Sequence, residues 1–259
     1  MDGLLSYRGA AFWVGLALFS LLEYRFPFRS RTEPTLRHGG VNLTLAAVNG
    51  GFLWMLVGVV ERWGLLPPST GLLSLFDLGP AWRLVASILY LDGIAYLFHA
   101  ACHRLPWLWR LHRVHHTDRD LDTTSASRFH VGEVALSAAL RFIVAIPLGP
   151  SGAEIEIFAL LLLFSAQFQH ANFRLPAAIE PVVRTIFVTP DMHRVHHSER
   201  PAETNANFSA IFSFWDRLFG AYRMAPQTEI VIGLPEYRDR VSRTLPNLMR
   251  MPFVRFHRR

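Results

Sequence analysis

The chain has 259 residues, of which 51% are hydrophobic, and a formal net charge of +6 with its twelve histidines counted as neutral. All 26 cationic side chains other than histidine are arginines, which excludes Schiff-base chemistry and phosphate loops that depend on a lysine. The single cysteine, Cys102, excludes a disulfide framework, a thiolate zinc site and an iron–sulfur cluster. The arginine bias is also typical of a GC-rich genome and favours a bacterial source.

Several apolar blocks are long enough to form membrane helices, which need about 20 residues. The blocks lie at about 10–24, 41–60, 82–98, 134–150 and 153–169. The chain starts without a basic region and cleavage site, so we expect the first block to be a retained anchor. Arg141 and Pro147 interrupt the fourth block, so the last two blocks are either two crossings or one shallow hairpin. The sequence therefore predicts an all-α integral membrane protein with about four to five membrane helices.

The arginines concentrate in the polar segments 25–38, 104–119 and 194–259. The positive-inside rule places such segments in the cytoplasm, here of a bacterial inner membrane, and it accounts for the net charge without a nucleic-acid partner. We expect three parts: N-terminal anchor helices over 1–79, a catalytic domain over 80–223 and a basic C-terminal tail over 224–259. The tail is predicted to lie at the membrane surface or in solvent.

Most histidines lie in three groups after the third apolar block, and two of the groups come directly after it. His99 and His103 are four residues apart and fall on one face of a helix. The stretch His112-Arg113-Val114-His115-His116 comes next, and the same five residues recur as His193-Arg194-Val195-His196-His197. Because positions i, i+3 and i+4 share a helix face, we expect the three imidazoles of each copy to point the same way. Between the copies, His130 and His170 stand alone beside apolar blocks.

These histidines are candidate metal ligands, because imidazole is the commonest metal-binding side chain. One such pair alone is more often a chance spacing, and a lone histidine is more often a core residue. Three groups in one chain favour a site with two metal ions, held by a cytoplasmic helical cap. The candidates are His99, His103, His112, His115, His116, His130, His170, His193, His196 and His197.

Other residues near these groups have more than one interpretation. Glu133 is either a hydrogen-bond partner of a ligand histidine or a charge at a helix N-terminus. Asp191 either orients an imidazole or caps a helix that starts at Thr189-Pro190. We expect His38 to be interfacial, and Trp107 and Trp109 to be membrane-interface anchors.

The order of the histidine groups on membrane spans resembles the fatty acid hydroxylase and sterol desaturase superfamily of integral-membrane di-iron enzymes. Similar signatures outside the groups are Arg128-Phe129-His130, Gln169-His170-Ala171-Asn172, Asn205-Ala206-Asn207-Phe208 and Trp215-Asp216-Arg217-Leu218-Phe219-Gly220. The resemblance implies that the ten histidines hold two iron ions. It also implies O2-dependent hydroxylation of a lipid, with a fatty acyl, amino-lipid or sterol- or isoprenoid-like molecule as substrate.

We expect the electrons to come from a separate donor, because nothing in the sequence resembles a flavin, haem or iron–sulfur module. A ferredoxin or a cytochrome b5-like protein could dock on the arginine-rich face. Desaturation of a lipid on the same site is one alternative. A non-enzymatic membrane metal transporter or metal-binding protein is another alternative. A transporter should carry ligands or charges in the middle of its membrane spans, whereas the histidines here are gathered at one membrane face.

Overall fold

The computed structural model describes residues 2–64 and 70–254. These residues form helices and loops without a regular β-strand, apart from isolated bridges between Phe187 and Phe212 and between Ser198 and Ile232. The α-helices in chain order are α1 (Asp2–Arg25), α2 (Thr35–Arg62), α3 (Pro80–Arg104), α4 (Pro106–His116), α5 (Val131–Leu148), α6 (Gly152–His170), α7 (Glu180–Val183), α8 (Pro190–His196), α9 (Pro201–Thr204), α10 (Phe214–Leu218) and α11 (Leu245–Arg250).

Four of the described helices, α2, α3, α5 and α6, are long and apolar enough to cross a membrane. They coincide with the last four predicted blocks, which confirms the prediction of an all-α membrane protein. Helix α1 covers the first block and packs against α6, but it is not among the four. The described helices therefore include four candidate spans, the lower end of the predicted range.

The fourth and fifth blocks form two separate helices of 18 and 19 residues. Pro147 lies in the last turn of α5, so it disturbs only the end of the helix. Gly149 ends the helix with φ of 72°. Gly149 packs so closely on Gly71 that a Cβ atom there would lie 2.5 Å from the Gly71 nitrogen. Ser151 and Glu154 then form a capping box that starts α6. Strong helix signals lie on both sides of the turn, and the region forms two separate helices, each long and apolar enough to cross a membrane.

A polar cap covers one end of the candidate spans, and it consists of α4, α8 and the loops around them. A short 3-10 helix, Thr123–Ser127, packs against α1, α2 and α6 and fixes the cap to them. His38 in α2 is buried in this region rather than interfacial, because its ring nitrogens lie 2.8 Å from an Asp118 oxygen and 3.2 Å from an Asp122 oxygen. A buried imidazole flanked by two carboxylates thus connects α2 to the cap.

The described part of the predicted C-terminal tail, residues 224–254, packs back onto the rest of the protein. Tyr237, Leu248 and Met251 are buried in one apolar cluster with Leu45 of α2 and Val114 of α4. Burial of these side chains removes apolar surface from water and holds the segment on the cap. This segment is therefore not a separate solvated tail, and residues 255–259 lie outside the described part of the chain.

Candidate metal centre

Nine of the ten candidate histidines lie in two adjoining clusters. Within each cluster, one donor atom from every residue lies within 4.8 Å of the others. Cluster A contains His99, His103, His112, His116 and His196. Cluster B contains His115, His170, His193 and His197. The clusters touch, since the stacked rings of His116 and His197 have centroids 4.5 Å apart.

The two HRVHH copies divide their imidazoles between the clusters. In the first copy, His112 and His116 face cluster A while His115 faces cluster B; in the second, His193 and His197 face cluster B while His196 faces cluster A. The expectation that all three imidazoles of a copy point the same way was wrong. Residues i and i+4 are nearly superposed along a helix, whereas an adjacent residue is rotated by about 100°. Each copy therefore gives a pair to one cluster and a single imidazole to the other.

The remaining histidines come from the ends of the candidate spans. His99 and His103 lie in the last turns of α3, and His170 is the last residue of α6. Thr189 caps α8 through its side chain, which accepts a hydrogen bond from the Met192 backbone N–H. Asp191 neither caps this helix nor orients an imidazole, because its carboxylate pairs with Arg194 and, at 2.7 Å, with Arg174. This pairing holds α8 against the segment that follows α6.

Hydrogen bonds on the outer side of several rings orient these imidazoles. His99 Nδ1 donates to the Phe208 carbonyl at 2.8 Å, and His196 Nδ1 donates to the Ala206 carbonyl at 2.7 Å. His170 Nδ1 donates to the Ala166 carbonyl at 2.6 Å, and His112 Nδ1 pairs with Glu133 Oε1 at 2.7 Å. A proton fixed on Nδ1 leaves the Nε2 lone pair pointing into the cluster, as a metal ligand requires. Glu133 is therefore a hydrogen-bond partner of a candidate ligand as well as a first-turn residue of α5.

The loop over 205–208 supplies two of these carbonyl oxygens, and Asp216 holds the loop in place. The Asp216 carboxylate accepts from the backbone N–H groups of Phe208 and Ser209, at 2.7 and 3.1 Å. Asn207 adopts φ of 56°, a left-handed conformation that asparagine tolerates better than most residues. Its side chain donates to the Met192 carbonyl at 2.9 Å. These contacts explain why the motifs around Asn207 and Asp216 accompany the histidine groups.

The donor sets fit two metal ions. In cluster B, His170 Nε2 lies 3.0 Å from His115 Nε2 and 3.0 Å from His193 Nε2, which lies 3.0 Å from His197 Nε2. Two nitrogens bound at right angles, each about 2.1 Å from one ion, are about 3.0 Å apart. In cluster A, both ring nitrogens of His103 and His116 and Nε2 of His196 are buried without a hydrogen-bond partner. Such unsatisfied groups are costly unless an ion binds them.

Burial favours the neutral form of five of the cluster histidines. It lowers the pKa of His115, His116, His193 and His197 well below the ordinary value of 6.5, and neighbouring imidazoles lower it further. Burial lowers the pKa of His196 to about 3. The neutral imidazole is the form that binds a metal, so these residues are ready to ligate at neutral pH.

His130 and Cys102 lie outside both clusters. His130 Nδ1 caps α5 by accepting from the Gly132 N–H at 3.0 Å, and its Nε2 lies 3.2 Å from the Met249 carbonyl oxygen. Cys102 is grouped with His112 and Glu133 within 4.8 Å. The hydrogen bond between His112 and Glu133 accounts for this grouping, so we assign the three residues to the surroundings of cluster A and not to a third metal site.

Aromatic rings pack directly on the clusters. The Trp109 ring lies 5.0 Å from His103 and 5.4 Å from His116, centroid to centroid, so it faces cluster A; Trp107 is exposed. Phe129 stacks on His115 with centroids 4.3 Å apart, and Phe208 lies 5.1 Å from His103. We expected both tryptophans to be membrane-interface anchors. For Trp109 this was wrong, because its ring packs on the imidazoles of cluster A. Their two-residue spacing on α4 was the available signal, because it turns them to different sides of a helix.

Comparison with known proteins gives a family model and several curated relatives. The model described as fatty acid hydroxylase matches residues 84–221. An ornithine lipid hydroxylase from Rhizobium tropici is 29% identical over 82% of this chain and 65% of its own length. An alkylglycerol monooxygenase from Danio rerio is 31% identical over 59% of this chain and 32% of its own length. A cholesterol 25-hydroxylase from Rattus norvegicus is 24% identical over 57% of this chain and 49% of its own length.

The match thus spans about two thirds of the ornithine lipid hydroxylase and about a third of the alkylglycerol monooxygenase. No solved structure matches this chain.

Proposed function

Because the chain belongs to the fatty acid hydroxylase family, we propose that it hydroxylates a C–H bond of a membrane lipid with O2 and externally supplied electrons. The observation that carries the proposal is the pair of buried imidazole clusters at the ends of the candidate spans. One oxygen atom enters the C–H bond, and the other leaves as water after taking up two electrons and two protons. The protein would supply ligands, position and a dry environment for this oxidation.

The proposed ligands are the five histidines of cluster A and the four of cluster B. Affinity alone would favour copper or zinc at imidazole sites, so the assignment of two iron ions rests on the family. Two redox-active ions bound here would supply the reduction of O2 that oxidation of an unactivated C–H bond requires. His130 is left out of this set, because both of its ring nitrogens face backbone groups of the cap.

The protein's own residues orient the ligands and exclude water. Glu133 and the Phe208 and Ala206 carbonyls fix the tautomers of His112, His99 and His196. Trp109, Phe129 and Phe208 surround the clusters with apolar rings, which limits the access of water to a strongly oxidising centre. Ligands fixed in this way need little rearrangement when a metal binds.

A lipid substrate is supported by the names of the relatives, which are hydroxylases or monooxygenases of ornithine lipid, alkylglycerol and cholesterol. His99, His103 and His170 lie at the ends of candidate spans, where a lipid chain reaches the site while its head group stays at the surface. The proposed orientation puts the cap in the cytoplasm, because the loops of the cap carry most of the arginines. Desaturation on the same site is the second candidate reaction.

Metal analysis joined to lipid mass spectrometry tests the proposal. The protein is purified in detergent for metal content, and lipids are extracted from cells that express the wild type, His196→Ala or His130→Ala. We expect two irons per chain in the wild type and a gain of one oxygen in one lipid class. Both should be lost or reduced in His196→Ala and kept in His130→Ala, the matched control outside the clusters.

A loss of two hydrogens in place of an added oxygen would make the protein a desaturase. Stoichiometric metal with an unchanged lipid profile would contradict the enzyme, and the transporter or metal-binding alternative would then be preferred.

A further inference from the structure

An arginine-lined cavity of about 210 Å³ lies next to cluster B. Arg194, which follows His193, and Asn172, two residues after His170, are part of its wall. The arginines that line it are Arg29, Arg31, Arg119, Arg194 and Arg238, and Asp120 is the single acidic residue among the lining residues. We refer to it as the arginine cavity.

The position of the arginine cavity relative to the candidate spans favours entry from the aqueous side. Its lining residues lie within 29–32, 119–121, 230–232 and the single positions 172, 194 and 238, all outside the four candidate spans. A ligand therefore reaches it from solvent, whereas a lipid chain would reach the clusters from the spans. Its volume is below the roughly 300–1,000 Å³ typical of sites for whole small molecules, so it suits a side chain or a small anion.

Two of the five arginines, Arg29 and Arg119, form no close ion pair among the described contacts, although the Asp191 carboxylate acts on Arg29 at longer range. Arg31, Arg194 and Arg238 pair with Asp122, Asp191 and Glu199 respectively. In contrast, Arg29 donates to the Ile230 carbonyl at 2.8 Å and to the Gln227 carbonyl, and Arg119 donates to the Arg238 carbonyl at 3.1 Å. Carbonyl oxygens satisfy donors but leave the positive charge in place.

The lone acidic residue of the wall, Asp120, forms no ion pair with either arginine among the described contacts. The oxygens of Asp120 accept from the Thr32 N–H and hydroxyl and from the Glu33 N–H, at 2.6–3.0 Å. Arg119 Nε is also buried and makes no hydrogen bond. Arg29 and Arg119 thus bring positive charge to the wall without an ion pair there, and a bound oxyanion would offset that charge.

We propose that the arginine cavity is the docking point of an acidic, soluble one-electron donor protein, which inserts a surface carboxylate between Arg29 and Arg119. The inference rests on the proposed function, which needs two electrons from outside. Two dockings deliver one electron each, and with two protons they balance the reduction of one O2 to the inserted oxygen and water. A donor seated here lies close to cluster B, since Leu121, Ile230 and Ile232 of the wall pack directly on Val195 of the second HRVHH copy.

The experiment uses the iron-loaded protein in lipid nanodiscs and a reduced [2Fe–2S] ferredoxin as the probe. The dissociation constant and the donor KM are measured at low and high salt for the wild type, Arg119→Gln, Arg119→Lys and Arg62→Gln. Arg62 is the control, because it is an exposed arginine at the far end of α2. We expect Arg119→Gln to raise both quantities about tenfold, as the loss of one charged hydrogen bond predicts, and to flatten their salt dependence.

Arg119→Lys should keep most of the affinity and salt dependence, and Arg62→Gln should match the wild type. Turnover driven by dithionite bypasses the donor, so it should be kept in Arg119→Gln. An equal loss of dithionite-driven turnover would mean a structural role for Arg119 and would overturn the inference. So would unchanged ferredoxin affinity, or saturable binding of inorganic phosphate by a protein that does not bind ferredoxin.

The same measurements separate this inference from the proposed function. Hydroxylation with dithionite but no ferredoxin binding would reject the docking site alone. Ferredoxin binding that depends on Arg119, without lipid oxidation under either reductant, would support the docking site and reject hydroxylation.

Discussion

Replacement of Glu133 by glutamine tests whether a carboxylate at the start of α5 supports metal binding. Glu133 Oε1 lies 2.7 Å from His112 Nδ1, and the residue is only 5% exposed, so bulk water has little access to this hydrogen bond. A hydrogen bond to a charged group is worth about 1.5–3 kcal/mol, and a neutral one about 0.5–1.5 kcal/mol. Glutamine keeps an acceptor but loses the charge, so it should cost about 1.4 kcal/mol, or about tenfold in metal affinity at cluster A.

Glu133→Ala removes the acceptor as well and should lower the affinity by up to about 100-fold, the upper range for orienting residues. The assay is a metal titration with a competing chelator on detergent-purified protein. Because the two clusters have separate ligands, the variants should bind one metal with unchanged affinity and the other with reduced affinity.

Glu154→Gln is the matched control. Glu154 is also the third residue of a candidate span, and it is similarly buried at 6% exposure, but its partners are Ser87, Ser151 and Arg83 and no imidazole. Its replacement should lower the melting temperature without changing metal affinity. If Glu133→Gln and Glu133→Ala behave in the same way as this control, Glu133 is a helix N-terminal charge and the orienting role is refuted.

Three further outcomes are expected. His130→Ala removes the side-chain cap of α5 and should lower the free energy of unfolding by about 1 kcal/mol while metal content stays unchanged; metal loss would contradict this. The buried Asp92 carboxylate accepts hydrogen bonds from the N–H groups of Ile211, Phe212 and the Trp215 indole at 2.9–3.1 Å, so Asp92→Asn should lower the thermal midpoint. The control Asp77→Asn changes an exposed residue and should leave the midpoint unchanged. Metal-free protein should lose stability as the pH falls below about 6.5, because histidines with a lowered pKa, such as His196, bind protons only after unfolding. The loss should be about 1.4 kcal/mol per pH unit for each such histidine. A calorimetric unfolding profile that does not change from pH 7 to pH 5 would contradict this.

The family, the helical class and the candidate spans followed from the sequence because each depends on a local pattern. Apolar blocks of span length are contiguous in the chain, and the HRVHH copies are visible as a repeat. The resemblance to the fatty acid hydroxylase family is confirmed by the match to residues 84–221. Local spacing also paired His99 with His103, which share a face of α3 and a cluster.

Contacts between distant segments could not be predicted in this way. The rotation of the helix separates the middle imidazole of each HRVHH copy from the other two, but the cluster that each imidazole joins depends on where α3, α6 and the other copy lie. Asp191 was assigned to a cap or an imidazole, yet it pairs with Arg174 and Arg194. His38 and Asp118 are eighty residues apart, and their contact is a product of tertiary packing. In each case the partner is set by the fold rather than by neighbours in sequence.

The partition of the HRVHH copies has a consequence for how the protein is held together. His99 and His196, about a hundred residues apart, would share one ion, and that ion would act as a cross-link that closes a long loop of chain. A second cross-link would join the end of α6 to α4. The free energy of metal binding would then become folding free energy for the cap, whereas the spans are held by the bilayer. Removal of the metal by a chelator should therefore loosen α8 and the 205–208 loop first. The candidate spans should stay folded in the membrane while this part of the cap opens.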